Sequence, residues 1–277
     1  MNLRLTKRLR PGRAILLGAL LFSAAPAIAQ DDPDDEDRGW TVTVGGGAQI
    51  HPPYPGAEGV GLYPAPIISF RRAGKPIPAE APDEGWGFGV LGSDSAFNFG
   101  PAVQFQGRRD EEDVGAAVGE VDFTVEAGAF VEAFIGDSFR LRAEGRRGFF
   151  GHEGTLGELS ADFFARSGDR YIFSIGPRAR FANREYMTTY FGVSPAVAGA
   201  TGIPAFAPDG GLYAIGATAG LRFQLGGGFE MHGHLRYDRL RGDAADSPIV
   251  TNFGSRNQYG AGLGLSYSFN VGGGSRR

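Results

Sequence analysis

No cysteine occurs in the 277 residues, which excludes a disulfide framework, thiolate nucleophiles and thiolate metal sites. Beyond the N-terminus no run reaches the roughly 18 to 20 apolar residues that a membrane-spanning helix needs. From Trp40 onward there is no convincing amphipathic helix. Neither sign of charge dominates: 27 basic and 31 acidic residues are interspersed and give a formal charge of −4, which does not fit a nucleic-acid binder. What the chain does have is 46 glycines, 22 phenylalanines and 42% hydrophobic residues, the composition of an ordered protein.

The first thirty residues read as an address. "MNLRLTKRLRPGR" is a basic leader, "AILLGALLF" a short apolar core, and Ala27-Ile28-Ala29 a small-residue cleavage site. The expected organisation is a cleaved signal peptide over 1–29, an acidic leader over 30–39, a β-barrel over 40–270 and a C-terminal extension over 271–277. The run "QDDPDDEDRG" reads as a solvated tail rather than a calcium site.

From Trp40 on, strand-like segments alternate with Gly, Pro, Asp and Asn clusters. They cover 40–50, 62–72, 85–91, 96–108, 120–134, 138–149, 156–166, 170–182, 211–224, 228–240 and 257–269, with a weaker one near 186–191. In the last, Tyr259, Ala261, Leu263, Leu265, Tyr267 and Phe269 share one face, and glycines and serines share the other. "FEMHGHLRYDRL" sets Phe229, Met231, Leu235 and Tyr237 against Glu230, His232, His234, Arg236 and Asp238. Aromatics near strand ends, aliphatics in the middle and charges opposite them form the pattern of a transmembrane barrel with a polar interior. The expectation is an all-β, antiparallel, closed barrel of twelve strands, ten as the fallback, monomeric, in contact with outer-membrane lipid. A secreted sandwich or lipocalin-like barrel is the soluble alternative.

Four stretches carry a family resemblance: "PPYPGAEGVGLYPAPIISFRR" at 52–72, "YFGVSP" at 190–195, "DAADSPIV" at 243–250 and "GLSYSF" at 264–269. Taken in order they resemble the MltA-interacting protein family, also called MipA/OmpV. The resemblance implies a Gram-negative outer-membrane barrel. In one branch such proteins are scaffolds joining a lytic murein transglycosylase to a murein synthase; others are described as porin-like or as adhesins. The chain departs from the usual barrel ending, since "NVGGGSRR" follows Phe269.

Chemistry is sparse by comparison. The four histidines are His51, His152, His232 and His234. His232 and His234 share a face, but a zinc site wants further ligands that nothing obvious supplies, so they read as polar wall residues. Glu126, Glu132, Asp122 and Asp162 lie opposite arginines, where ion pairing explains them without glycosidase chemistry. The glycine-rich "VGGGAQ" and "LGGGFE" lack a following helix and a P-loop lysine. No catalytic residue, metal or cofactor is expected.

The candidate site is the lumen, a charge network of Glu126, Glu132, Arg140, Arg142, Arg146, Arg178, Arg180 and Arg236, with Arg170 and Arg222 on the same wall. Its arginines either line a passage for anions or pair with carboxylates and fill it; the cost of an unpaired buried charge favours filling. Three further expectations concern layout. The hairpin at 130–145 turns over 135–137, setting Glu132 opposite Arg140. Loops 51–61, 192–210 and 241–256 share the outer end. Segments 73–84 and 109–119 are turns at the other end, where a partner docks. The function expected is a non-enzymatic scaffold for murein transglycosylase and murein synthase, with a porin-like channel next and an envelope lipid hydrolase third.

Overall fold

The computed structural model describes residues 39–92 and 95–272; the expected signal peptide, most of the acidic leader and the end of the C-terminal extension lie outside them. The described residues hold eleven strands: β1 (Trp40–His51), β2 (Gly61–Arg72), β3 (Trp86–Gly87), β4 (Phe97–Gln106), β5 (Thr124–Ile135), β6 (Phe139–Phe149), β7 (Thr155–Ser167), β8 (Tyr171–Ala182), β9 (Gly211–Gly226), β10 (Phe229–Leu240) and β11 (Asn257–Val271). Five short helices join them: α1 (Glu111–Val114), α2 (Arg184–Phe191), α3 (Pro195–Thr201), α4 (Gly242–Asp246) and α5 (Pro248–Phe253). All strands form one antiparallel sheet in the order β2-β1-β11-β10-β9-β8-β7-β6-β5-β4-β3, curled into a half-barrel.

Period-two patterning governs which side of the sheet each residue takes. Leu62 (68% exposed), Leu235 (66%) and Leu263 (70%) stand on the outer face with Phe70, Ile135, Phe139 and Tyr259. Glu126, Arg140, Asp162, Arg178, Glu230 and Asp238 are buried on the inner one. An outer belt this apolar matches hydrocarbon, and the polar groups are left to satisfy one another inside. Inner-face glycines permit the curl: a methyl group at Gly128 would fall on the Gly145 carbonyl of β6, and one at Gly176 on that of Ala161.

Of the twelve expected strands one is replaced by a helix and another is much shorter than expected. Residues 186–191 are helical rather than extended: Asn183 caps α2 by accepting from the Tyr186 N–H, and Tyr186, Met187, Tyr190 and Phe191 are buried. Segment 85–91 pairs as a strand only at Trp86 and Gly87, opposite Val103 and Ala102 of β4. Nor, among the described residues, does a ladder close the sheet, because β2 and β3 are both edges. Pro64 and Pro66 sit in β2, which pairs with β1 throughout, so the positions lacking an N–H face the open side.

The edges also fix the path of the chain. With every pairing antiparallel across eleven strands, β2 and β3 run in the same direction. Residues 73–85 therefore do not make a turn. They travel back through the lumen as a strap before β3 descends. That passage and the helical α2 each reverse the parity that twelve strands would give, and together they return both chain ends to one side. The consequence falls on 107–123, which lies with 52–60, 183–210 and 241–256 at the end opposite the termini: Arg109 donates to the Tyr190 carbonyl, and Ala57 bridges Gly254. The placement of 109–119 at the terminal end is thus corrected.

The hairpin at 130–145 is corrected too. Its turn is Gly136-Asp137-Ser138, with Gly136 at φ 62°, and Ile135 pairs with Phe139. Glu132 faces Arg142 instead of Arg140, Val131 faces Ala143, and Glu126 faces Gly148. A slip of two ladder positions keeps every side chain on its own face, so the lipid penalty cannot distinguish the two registers. Turn chemistry does: Gly, Asp and Ser suit a turn, whereas β-branched Ile135 suits the ladder.

Replacing Gly128 by alanine should cost about 1–3 kcal/mol by overpacking and lower the heat-modifiable, folded fraction on electrophoresis. The same change at Gly46, where a Cβ would meet nothing nearer than 4.0 Å, should leave that fraction intact.

Candidate functional site

Cross-strand register brings the lumenal charges together. Arg140 of β6 stands opposite Asp162 of β7, Arg142 opposite Glu132 of β5, and Arg180 of β8 opposite Glu158 of β7. Arg140 donates to Asp162 at 2.9 Å and to Glu132 at 3.3 Å. Arg142 donates to Glu132 at 3.1 Å and Glu144 at 2.5 Å, with its guanidinium 3.6 Å from the centroid of the Phe130 ring. Arg146 donates to Glu126 at 2.9 Å and pairs with Glu144. Arg180 meets Glu158 at 2.9 Å and also pairs with Asp238, to which Arg236 donates at 2.6 Å. Arg222 lies 3.6 Å from Glu230. The eight residues expected to form the network are thus on one wall, Arg236 being the most accessible of its arginines with 38% of its side chain exposed. Arg170 is in the exposed β7–β8 turn, and Asp122 is in the 107–123 loop, 3.7 Å from Arg108.

The strap supplies residues that spacing did not reveal. Asp83 receives Arg178 bidentately, Nε at 2.9 Å and Nη2 at 2.8 Å, together with Arg180 Nη2 and Thr218 Oγ1 at 3.0 and 2.8 Å. Glu84 pairs with Arg140, which also donates to the Ala79 carbonyl at 3.2 Å. Ile77 is buried against Phe164 and Ile172, and its N–H donates to Asp169. These partners lie up to 135 residues away in sequence. No local pattern announces them, although "KPIPAEAPDE" does combine prolines with acids. Charge pairing in the lumen makes the strap an inner part of the wall rather than a docking turn.

The end opposite the termini is capped. Tyr54, Tyr186, Tyr190, Phe191, Tyr213, Leu240, Ala244, Ile249 and Val250 form one buried cluster. Here the first three family-like stretches meet: the Ser247 hydroxyl donates to the Phe191 carbonyl at 2.7 Å, and a methyl at Gly56 would strike Val250. His152 sits beneath the cap, with Nε2 3.0 Å from Glu126 and its ring edge-on to Tyr186. Arg109, 2% exposed, donates to the Tyr190 and Gly119 carbonyls. Burial pushes the Tyr54 hydroxyl up to about 12 and raises Tyr190 as well, so both rings stay neutral. At the other end of the lumen His232 Nε2 lies 2.8 Å from the Ser266 hydroxyl, as a wall residue would.

Arg140 has 1% of its side chain exposed and shares three carboxylates, so Arg140→Ala should destabilise the barrel by about 3–5 kcal/mol in a urea titration in lipid vesicles. Arg166→Ala, which breaks the more exposed pair with Asp169, should cost less than about 1 kcal/mol.

A family model described as MltA-interacting protein MipA matches residues 44–269. No curated protein matches the chain. Among solved structures, an outer membrane channel from Pseudomonas putida F1 is similar at 10% identity and TM-score 0.41, over 87% of this chain and 100% of that one. A FadL homologue from Pseudomonas aeruginosa is similar at 10% identity and TM-score 0.30, over 89% and 95%. A TodX deletion mutant, a monoaromatic hydrocarbon channel, gives 9% identity and TM-score 0.34, over 90% and 93%. The family match spans most of the sequence from the middle of β1 to the aromatic end of β11, and the chain belongs to the MltA-interacting protein MipA family.

Proposed function

We propose that this protein is a monomeric, non-enzymatic scaffold of the outer membrane that gathers a murein transglycosylase and a murein synthase. The observation that carries the reading against an open pore is the strap lodged in the lumen below the aromatic cap. Asp83 and Glu84 of the strap join Arg140, Arg178 and Arg180, and the aromatic cap covers the far mouth. A pathway obstructed at both levels suits a protein whose work is done on its rims. The porin-like reading stays second, supported by the accessible inner side of the strap, where Glu80 and Pro82 are exposed.

Loop lengths favour one orientation. At the terminal end the turns at 136–138, 168–170 and 227–228 are short, whereas 107–123, 183–210 and 241–256 at the other end are long. Outer-membrane barrels put short turns in the periplasm, so the murein enzymes would meet the terminal end. The strap is engaged in the lumen and 107–123 faces outward, which removes both as periplasmic docking sites and leaves the short turns with the acidic leader.

Planar bilayers should show no stable conductance steps for the wild-type protein, and envelope extracts should yield murein enzymes on the immobilised barrel. Regular single-channel steps without enzyme capture would transfer the assignment to the channel. In intact cells, a cysteine at Glu112 should react with an impermeant thiol reagent and one at Asp137 should not; the reverse pattern would invert the orientation.

A further inference from the structure

Asp83 is held as a ligand is held. One carboxylate accepts a two-pronged Arg178 fork, a second guanidinium from Arg180 and the Thr218 hydroxyl, all between 2.8 and 3.0 Å. The three donors come from the wall strands β8 and β9, and Arg178, Arg180 and Thr218 are 3%, 6% and 2% exposed. Planar guanidinium forks with a hydroxyl beside them form a receptor for carboxylate.

The occupant is attached differently from the wall that holds it. The strap makes no ladder with any strand; among its ties to the barrel interior are Asp83, Glu84, the Ala79 carbonyl and the Ile77 N–H. Gly74, at φ 85°, stands at its entry and Gly85 at its exit; Pro76 and Pro78 lie in the irregular stretch between, and a turn at Pro82-Asp83, closed by the Glu84 N–H donating to the Ala81 carbonyl at 3.3 Å, presents Asp83 to the wall. One side of the strap is accessible, since Pro76, Glu80 and Pro82 are exposed while Ile77 and Ala81 are buried. At its entry lies an open recess lined by Arg71, Lys75, Arg166 and Asp169, whose positive excess favours the approach of anions.

We propose that Arg178, Arg180 and Thr218 form a binding site for small polycarboxylates, with Asp83 as its tethered occupant, and that such a ligand entering from the terminal end displaces the strap. The site goes beyond the scaffold reading and does not depend on it, because its readouts involve no murein enzyme. One carboxylate of the arriving ligand takes the guanidinium contacts that Asp83 gives up, and Asp83 moves into water as an ion. A tethered competitor acts at an effective concentration on the order of millimolar or more, so the wild-type site should look weak and the untethered one strong.

The test uses the full-length barrel in detergent, with citrate as the probe. Calorimetry should show citrate binding Asp83→Asn at least about tenfold more tightly than wild type, the shift expected on removing such a competitor. Adding Arg178→Gln should abolish the gain. Equal affinities in D83N and wild type, with D83N heat-modifiable and so folded, would overturn the proposal. Should D83N not fold, a cysteine at Ala79 in the otherwise cysteine-free chain decides. Citrate should raise its labelling rate several-fold above sodium chloride of equal ionic strength, and identical rates in the two salts would sink the idea.

Discussion

A guanidinium stays charged at any physiological pH, and the arginines that face the lumen are met there by shared carboxylates; the arrangement of the interior follows from that pairing. Of the 27 basic residues only Lys7 and Lys75 are lysines. The wall therefore holds cations that cannot neutralise themselves by losing a proton. Each lumenal arginine shares its acids: Asp162 serves Arg140 and Arg178, Glu132 serves Arg140 and Arg142, and Asp83 serves Arg178 and Arg180. Sharing couples β5 through β8 to the strap, so the lumen has one arrangement rather than several interchangeable pairs. The outer belt makes no comparable demand, because hydrocarbon accepts any apolar side chain of suitable size.

Local alternation was enough to place most strands and both faces, since a period of two is written in adjacent residues. Leu263 outward and Glu230 inward follow directly from it. What alternation does not carry is any relation between distant segments. The contact of Asp83 with Arg178 spans 95 residues and that of Glu84 with Arg140 spans 56. In the sequence the strap is only a proline-rich stretch with acids. The two-residue slip of the β5–β6 hairpin was hidden for a related reason, because both registers satisfy the same face rule. At 186–191, "YMTTYF" has aromatics at both ends and no glycine or proline, which reads equally as a short strand. Asn183 before it is the cap that tips the balance, and the aromatic cluster buries both ends.

The family-like stretches turn out to be concerned with closure at one end. Tyr54, Phe191 and Val250, from segments widely separated in sequence, lie in a single buried cluster over the mouth. The last stretch, Gly264 to Phe269, differs: it alternates small inner residues with outer Leu265, Tyr267 and Phe269 along β11, beside β1 and β10. Family signature and charge network thus occupy different parts of the molecule, which is why a search among the charged residues alone would have missed the cap.

The strap joins the two edge strands, β2 and β3, and those edges are where the sheet remains unsealed. A segment lodged inside a tube would ordinarily have to be threaded through one of its ends, a route that protein chains avoid. Here the strap's own flanks border the gap. It can swing sideways into the interior as β2 and β4 approach, with no free terminus passing through any loop. The missing ladder is thereby the feature that keeps an internally occupied barrel topologically simple to assemble.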